Sequence, residues 1–245
     1  GFSILNGIIG IYLNAVKNTT VSGLTVKNTQ GPCVYLRESN DNIMIDNDLT
    51  NGNSGIQVYK SRNNIIDSNT IAFCLDGICL RESSSGNIIR KNIIVNNSGG
   101  VGIGGIVEPD VHDNTVEDNI IEDNEYGIML GDSSNNTIKG NVIIHSERNG
   151  IQLEYSKGNI IRNNIVSSCM CGIRLYWFSD ENCICSNNIT DNDFGIQIGH
   201  DYYGWKIPCS DNVFYHNNFV NNILQTQSIG SINLWNNSYP SGGNY

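Results

Sequence analysis

Residues 150–166 read GIQLEYSKGNIIRNNIV, and this phrase recurs along most of the chain. A glycine opens a short run in which apolar and polar residues alternate. Asn159 then opens the pattern Asn–x–apolar–x–x–Asn–x–apolar, which ends at Val166. A period of about 22 residues means that each copy is one structural unit, which stacks on its neighbours to bury an apolar face. The repeat therefore predicts a solenoid.

The two halves of the phrase differ in regularity. The glycine-led half occurs at Gly55, Gly77, Gly127, Gly150, Gly172 and Gly195. The opening Asn recurs without a register slip at Asn42, Asn64, Asn87, Asn114, Asn136, Asn159, Asn182 and Asn212. The second Asn, five residues on, is Asn47, Asn69, Asn92, Asn119, Asn141, Asn164, Asn187 and Asn217. The Asn positions are thus the most regular feature of the sequence.

The composition selects strands over helices. The chain is rich in Asn, Gly, Ile and Val, and its apolar residues alternate at period two within short runs. Asn tolerates the left-handed backbone, and stacked Asn amides satisfy backbone groups at turns. We predict an all-β fold, a single-stranded right-handed parallel β-helix with an internal Asn ladder. It should have about nine to ten coils of roughly 22–23 residues each.

Length and charge limit the class of protein. The unbroken repeat predicts one domain, residues 1–245. The net charge of −10 and the pI of about 4.7 disfavour nucleic-acid binding through a basic patch. No membrane-spanning apolar run or signal peptide occurs. Because residues 1–4 already follow the coil pattern, we expect a fragment or processed form that lacks its N-terminal cap.

Two stretches depart from the period. Residues 99–110 make one coil about five residues too long, and residues 200–211 insert a loop before Asn212. Insertions in solenoids tend to form loops on one face, which is often the binding face, although a neutral surface loop is the alternative. Residues 223–245 are expected to form a C-terminal end segment.

The Asn copies, the Gly–Ile–x–Leu copies and the ending WNNSYPSGGNY (residues 235–245) resemble the NosD-like parallel β-helix repeat proteins of the pectin-lyase-like superfamily. The resemblance covers essentially the whole chain. It implies the β-helix fold and an extracellular or cell-surface location. The family name implies copper delivery to a periplasmic reductase, but many members have no such partner, so that role is not predicted here. Pectin-active lyases, polygalacturonases and alginate epimerases share the repeats, which therefore say little about activity.

The repeat also indicates which side chains point outward. Ile173 and Leu175 point inward, so Arg174 between them points outward. The outward ladder is then Tyr12, Tyr35, Gln57, Cys79, Val107, Met129, Gln152, Arg174 and Gln197. A second group follows each strand: Arg37, Glu38, Tyr59, Lys60, Arg81, Glu82, Asp132, Glu154, Tyr155, Tyr176, Trp177, His200 and Asp201.

Aromatic rings beside Arg and carboxylate side chains are typical of sugar-binding surfaces. The carbohydrate-binding candidates are Tyr35, Arg37, Tyr59, Arg81, Glu82, Glu154, Tyr155, Arg174, Tyr176, Trp177 and His200. The alternative is a solvated strand edge with ordinary cross-coil ion pairs.

Catalysis on a polysaccharide would need convergent acid and base groups. Glu154, Arg174 and Asp132 are the candidates, but no carboxylate trio stands beside an Arg on adjacent coils. We therefore predict a structural, adhesive or carbohydrate-binding role without turnover, with a polysaccharide or surface glycan as partner. The alternative is a lyase, glycoside hydrolase or epimerase acting on uronic-acid polymers. No metal or cofactor is expected, except calcium for a lyase. Strand edges at the solenoid ends predict self-association or end-to-end stacking.

The eight cysteines include two Cys-x-Cys pairs, Cys169/Cys171 and Cys183/Cys185. The two pairs should lie on different faces, so a four-thiolate metal site is not expected. Disulfides are the preferred interpretation for a secreted chain, with free thiols as the alternative. The disulfide candidates are Cys183 with Cys209 and Cys74 with Cys79. Candidate glycosylation sites are Asn18, Asn96, Asn135, Asn188 and Asn236.

Overall fold

The computed structural model describes residues 2–105, 111–237 and 242–244. The chain winds as a parallel β-helix whose walls are three parallel sheets. Sheet 1 contains Phe2–Leu5, Leu24–Lys27, Asp48–Thr50, Thr70–Ala72, Ile93–Val95, Ile120–Glu122, Val142–Ile144, Ile165–Ser167, Asn188–Thr190 and Asn218–Val220. Sheet 2 contains Ile11–Asn14, Val34–Arg37, Ser54–Tyr59, Asp76–Arg81, Gly99–Gly104, Tyr126–Gly131, Asn149–Glu154, Cys171–Tyr176, Phe194–Ile198 and Leu224–Ser228. Sheet 3 contains Thr20–Ser22, Ile43–Ile45, Ile65–Asp67, Ile88–Arg90, Thr115–Glu117, Thr137–Lys139, Ile160–Arg162, Cys183–Cys185 and Val213–Tyr215.

Two short pairings complete the secondary structure of the described residues. Val111–His112 pairs in parallel with Ser133–Ser134, and His200–Tyr202 pairs antiparallel with Trp205–Ile207. The second pairing is a hairpin within the predicted 200–211 insertion. Among the described residues there is no helix, and so none long and apolar enough to cross a membrane.

Alternation along each strand fills the core. In the strand Asn149–Glu154, Ile151 and Leu153 are fully buried, whereas Gln152 between them is half-buried on the outer face. Each fully buried Ile or Leu contributes about 1.5–3 kcal/mol. Position 150, near the start of this strand, requires glycine because the Cβ of any other residue would collide with the Val166 side chain. The short apolar–polar–apolar runs of the sequence are thus the inner and outer faces of the walls.

Both predicted Asn positions form ladders inside the turns that flank sheet 3. Asn164 is typical: its backbone N–H and its side-chain Nδ2 both donate to Oδ1 of Asn187 at 3.0 Å. Asn164 Nδ2 also donates to the carbonyl of Ile138 at 3.0 Å, and Asn164 Oδ1 accepts from Asn141. The predicted Asn ladder is therefore confirmed.

Two further columns of polar side chains line the other inner turns. Between sheets 1 and 2, Asn97 donates to Asn124, and Asn192 donates to Asn222. After sheet 2, buried serines stack in the same way at Ser39, Ser61, Ser84, Ser133, Ser156 and Ser179. These columns were not predicted, because glycine, cysteine and threonine interrupt them in the sequence.

The coil count and one register differ in detail from the predictions. Both Asn positions occur together in eight turns, slightly fewer than the nine to ten coils expected, although the three sheets hold ten, ten and nine strands. In the long coil, Gly102 lies between Cys79 and Met129 on the outer ladder. The prediction placed Val107 there, and that residue lies outside the described residues. The glycine-rich stretch resembled a loop, but it forms the strand Gly99–Gly104.

The last coil continues into the predicted end segment 223–245. The strand Leu224–Ser228 adds to sheet 2. Asn233 and Asn244 extend the two Asn ladders by accepting from Asn212 and Asn217. The segment therefore continues the coil, and its Asn residues satisfy ladder donors that would otherwise have no partner.

Candidate functional site: an aromatic ridge along sheet 2

The outer face of sheet 2 carries a row of polar side chains in register. Gln152 pairs with Arg174, Arg174 with Gln197, and Gln197 with Gln227. Gln197 Nε2 donates to Gln227 Oε1 at 2.6 Å. Arg174 is thus a cation between two glutamines on the outer face, in the outward position that the sequence predicts.

Arg174 lies flat beside an aromatic ring. Its guanidinium carbon is 4.7 Å from the centroid of the Tyr176 ring, within the range of a cation–π contact. The Arg174 Nε is buried, and no acceptor among the described residues hydrogen-bonds to it. A buried donor without a partner loses about 1–3 kcal/mol relative to a satisfied one. An acceptor from a ligand would remove that cost.

Five rings adjoin this arginine at the end of sheet 2, and we call them the aromatic ridge: Tyr155, Tyr176, Trp177, His200 and Tyr202. Tyr155 and Trp177 stack with centroids 5.9 Å apart and planes 16° from parallel. The Tyr176 and His200 centroids are 4.7 Å apart, and those of Trp177 and Tyr202 are 5.9 Å apart. The rings form a continuous surface across three successive coils.

The backbone turns these rings outward. Tyr155 and Trp177 follow sheet 2 with φ of 50° and 42°, in the left-handed region that bulky residues rarely adopt. Tyr155 N donates to the Trp177 carbonyl at 2.9 Å, so the turns stack as the strands do. His200 and Tyr202 come from the inserted hairpin, whose tight turn is closed by a bond from Gly204 N to the Asp201 carboxylate at 2.7 Å.

The three catalytic candidates occupy three neighbouring coils. Glu154 is opposite Tyr176, two residues along the strand from the position opposite Arg174. Asp132 lies one coil earlier, where its N–H donates to the Glu154 carbonyl at 2.9 Å. No side-chain hydrogen bond or ion pair among the described residues joins Glu154, Arg174 and Asp132. Burial raises the pKa of Glu154, and a hydrogen bond with Gln152 opposes this only in part.

Three other binding candidates lie with Lys60 in a separate group. We call this group the charged cluster: Arg37, Tyr59, Lys60 and Glu82. Tyr59 Oη donates to the Glu82 carboxylate at 2.7 Å, and Lys60 Nζ lies 3.1 Å from it. The bond from Tyr59 and then that from Lys60 lower the pKa of Glu82. Arg37 stands 5.9 Å from the Tyr59 ring centroid. Each charge in this cluster already has a protein partner.

Two more candidates flank the charged cluster. Tyr35 stacks on Tyr12 with centroids 5.2 Å apart, and Arg81 lies 3.7 Å from the Asp76 carboxylate. The strand that ends at Tyr59 is four strand spacings from the one that ends at Glu154, or roughly 19 Å at 4.8 Å per coil. The structure therefore divides the predicted binding residues into two groups, one around Arg174 and one around Tyr59.

The predicted disulfides are not formed, and all eight cysteines are free thiols. Cys209 is fully buried inside the solenoid, whereas Cys183 is half-buried on the outer face of sheet 3. Cys79 is on the outer ladder of sheet 2, but Cys74 belongs to an inner turn. The Cys74 thiol instead hydrogen-bonds with that of Cys33, which lowers the pKa of Cys33 to about 7.

The five predicted glycosylation sites differ in exposure. Asn18, Asn96, Asn135 and Asn236 are exposed, whereas Asn188 is half-buried in a strand of sheet 1.

The structure also brings together three side chains that could bind a metal ion. The ligand atoms of Glu122, Asp123 and His145 lie within 4.8 Å of one another. No sequence pattern indicated this group, because His145 comes from the coil after the two carboxylates.

Two family profiles match the sequence of this chain. The profile of the family described as "Periplasmic copper-binding protein (NosD)" matches residues 102–245, which is more than half of the chain. The chain belongs to the NosD family. A second profile, "Right handed beta helix region", matches residues 9–126. The predicted resemblance and the right-handed β-helix are thus confirmed. A search of curated proteins finds no match for this NosD-family chain.

Solved structures share the fold at low identity. The A-module of mannuronan C-5 epimerase AlgE6 from Azotobacter vinelandii has a TM-score of 0.75 and 13% identity, covering 89% of this chain and 65% of that module. A mutant of the periplasmic alginate epimerase AlgG gives 0.70 and 16%, covering 89% and 69%. The Dettilon tailspike protein gives 0.69 and 17%, covering 89% and 47%. At these identities the similarity shows the fold alone.

Proposed function

We propose that this NosD-family protein binds an acidic polysaccharide on the aromatic ridge, without turnover, outside the cytoplasm. The observation that carries the proposal is Arg174, whose guanidinium lies over Tyr176 and whose buried Nε has no acceptor among the described residues. A uronic-acid carboxylate supplies both an acceptor and a countercharge. The periplasmic description of the family and the alginate epimerases of the same fold support the location and the ligand class.

The ridge provides the rest of a sugar site. Tyr155 and Tyr202 are 38% and 50% exposed, so their ring faces are open to a ligand. Aromatic faces pack against the apolar faces of sugar rings, and phenol and imidazole groups bond hydroxyls. The rings extend over three coils, or roughly 10 Å at the coil spacing. We infer that a linear polymer lies along the solenoid axis.

The proposal of binding without turnover rests on the side chains of the candidate acid and base groups. Among the described residues, no side-chain hydrogen bond or ion pair joins Glu154 or Asp132 to Arg174, and hydrolysis needs two carboxylates that flank one bond. The second candidate function is elimination or epimerisation on a uronic acid. The Tyr176 and His200 rings favour it, because they lie 4.7 Å apart beside the cation that would bind the carboxylate.

The experiment measures affinity for immobilised polymannuronate, polygalacturonate and neutral dextran. Wild-type protein should retain the two acidic polymers and not dextran. Trp177→Ala should weaken binding by about thirtyfold, or roughly 2 kcal/mol, as for a central aromatic contact. Phe73→Ala is the matched control, since Phe73 is also aromatic, 61% exposed and left-handed at φ 56°. Equal losses in both variants would contradict the ridge as the site.

The same samples separate the two candidate functions. Unsaturated-product absorbance, reducing ends and the uronic-acid composition of the polymer are followed over time, with and without calcium. Retention without any change of the polymer supports binding alone. A change of the polymer that disappears in His200→Ala would replace our proposal with the enzymatic one.

A further inference from the structure

A pair of thiols lies on the outer face of sheet 3, away from the aromatic ridge. Cys183 and Cys185 are the first and third residues of their strand, and Ile184 between them is fully buried. Both thiols therefore point outward, with their sulfur atoms 3.9 Å apart. Tyr215 follows in register with Cys185 on the next coil, and its Oη lies 3.8 Å from Cys183 Sγ. Three potential ligand atoms thus gather at one spot.

Strand geometry opposes a disulfide between these two cysteines. Residues i and i+2 of an extended strand have Cα atoms roughly 6.6 Å apart, near the upper limit for a disulfide, whose usual value is about 5.5–6 Å. A disulfide also needs its sulfur atoms about 2.05 Å apart, and these are 3.9 Å apart. Closing the bond would bend a strand that pairs on both edges. The pair is therefore better suited to binding an ion between the two sulfur atoms than to forming a disulfide.

The same distance fits a metal ion. With metal–sulfur bonds of about 2.3 Å and a tetrahedral angle, two coordinated sulfur atoms lie roughly 3.8 Å apart. A thiolate is the form that binds soft metal ions. Two thiols whose sulfur atoms lie 3.9 Å apart can both give up their protons to one ion that lies between them.

We propose that Cys183, Cys185 and Tyr215 bind one thiophilic metal ion, with the two sulfur atoms and the phenol oxygen as ligands. Soft thiolate ligands select ions such as Zn²⁺ and Cd²⁺ over Mg²⁺ or Ca²⁺. Binding as two thiolates displaces both thiol protons, so two protons leave for each ion taken up. The site is independent of the proposed polysaccharide function, because its residues belong to a different sheet.

The other cation candidate differs in chemistry. Glu122, Asp123 and His145 offer oxygen and imidazole ligands, and their side chains are 36–57% exposed. His145 Nδ1 already lies 3.4 Å from the Asp123 carboxylate. A metal ion there would give no sulfur-to-metal charge transfer, so spectroscopy distinguishes the two places.

The test titrates Cd²⁺ into the reduced protein and follows the ultraviolet sulfur-to-cadmium charge-transfer band. The band should saturate at one ion per chain, and excess Zn²⁺ should reverse it. The double variant Cys183→Ser, Cys185→Ser should lose the band, and Tyr215→Phe should weaken binding by about tenfold. Cys79→Ser is the control, because it removes one thiol from a different sheet and should keep the band.

Folding is checked by the unfolding midpoint of each variant without metal. Zn²⁺ should raise the midpoint of the wild type and of Cys79→Ser, but not that of the double variant. A cadmium–sulfur band that survives in the double variant would overturn the proposal. So would a count of only six reactive thiols among the eight cysteines in the denatured wild type, with Cys183 and Cys185 oxidised.

Discussion

The charged cluster and the aromatic ridge occupy equivalent places on the solenoid but differ in what they leave unsatisfied. Both follow sheet 2, at the turns after Tyr59 and after Glu154. In the charged cluster, Glu82 accepts from a tyrosine and pairs with a lysine. On the ridge, the Arg174 guanidinium lies over the Tyr176 ring, and its buried Nε has no hydrogen-bond acceptor among the described residues. The same scaffold thus presents one surface whose charged groups are paired with one another and one surface with an unpaired donor.

This difference shows that residue type alone does not identify a site on a repeat protein. Tyrosines, arginines and a glutamate occur in both places, and the sequence placed all of them in one candidate list. What separates the two surfaces is whether each polar group already has a partner. Unpaired buried donors lose free energy that a ligand can restore, whereas an exposed ion pair gains little from one.

The largest expected effect tests whether the two surfaces rest on the same scaffold. Asn164→Ala, in the turn that follows the next strand after Tyr155, and Asn69→Ala, in the equivalent turn after Tyr59, should each lower the free energy of unfolding by about 3–5 kcal/mol. Each substitution removes a buried amide and leaves the N–H and Nδ2 donors of the preceding Asn without their acceptor. Urea unfolding measures the loss.

The control for the ladder is Asn163→Asp. Asn163 is the exposed neighbour of Asn164, and its substitution should change the free energy of unfolding by no more than about 0.5 kcal/mol. If the loss of unfolding free energy at Asn69 differed greatly from that at Asn164, the two surfaces would differ in the stability of their coils and not only in their outer side chains.

The next effect concerns the cation of the ridge. Arg174→Gln should weaken binding to the acidic polymers by at least tenfold, since a charge-assisted hydrogen bond contributes about 1.5–3 kcal/mol. Glutamine is compatible with the scaffold, because Gln152 and Gln197 flank the position. Arg37→Gln in the charged cluster should leave the affinity unchanged. A matching loss there would remove the distinction between the surfaces.

A smaller effect should appear with pH. Burial raises the pKa of Glu154, so its carboxyl stabilises the fold at low pH and loses this contribution as the pH rises through the raised value. The ionised form also repels a polymer carboxylate, by roughly 1 kcal/mol or about fivefold. Polymer affinity should fall as the pH rises above 4.5, the ordinary value of a glutamate. Glu154→Gln should flatten that profile, and a pH dependence that persists in this variant would assign the titration to another group.

The smallest effect is expected in the charged cluster. Glu82→Gln removes the carboxylate that Tyr59 and Lys60 share, and should lower the urea midpoint slightly without changing polymer affinity. In the folded state the pKa of Glu82 is lowered, so its contribution is present above the unfolded value and lost as the pH falls through the lowered one. A binding defect in this variant would show that the cluster also contacts the ligand.

The sequence predicted the fold well because the repeat is a local code. Each Gly–Ile–x–Leu run specifies which side chains point inward and which point outward. Asn residues such as Asn69 and Asn164 occur at the turns whose backbone groups need a hydrogen-bond partner. The outward position of Arg174 follows from the same alternation. Val107 shows the limit, because the glycines at 99–105 hid a strand and shifted the register by five residues.

The sequence by itself determined the coil, the Asn ladders and the list of outward residues, because these depend on short-range alternation and turn chemistry. Only the tertiary structure decided which outward residues meet, because neighbours across coils are separated by about 22 residues or more along the chain. The stacking of Trp177 on Tyr155 and the approach of Tyr215 to Cys183 both cross coils. The same reason explains the absent disulfides: spacing suggested pairs, but the wall of the solenoid lies between Cys183 and Cys209.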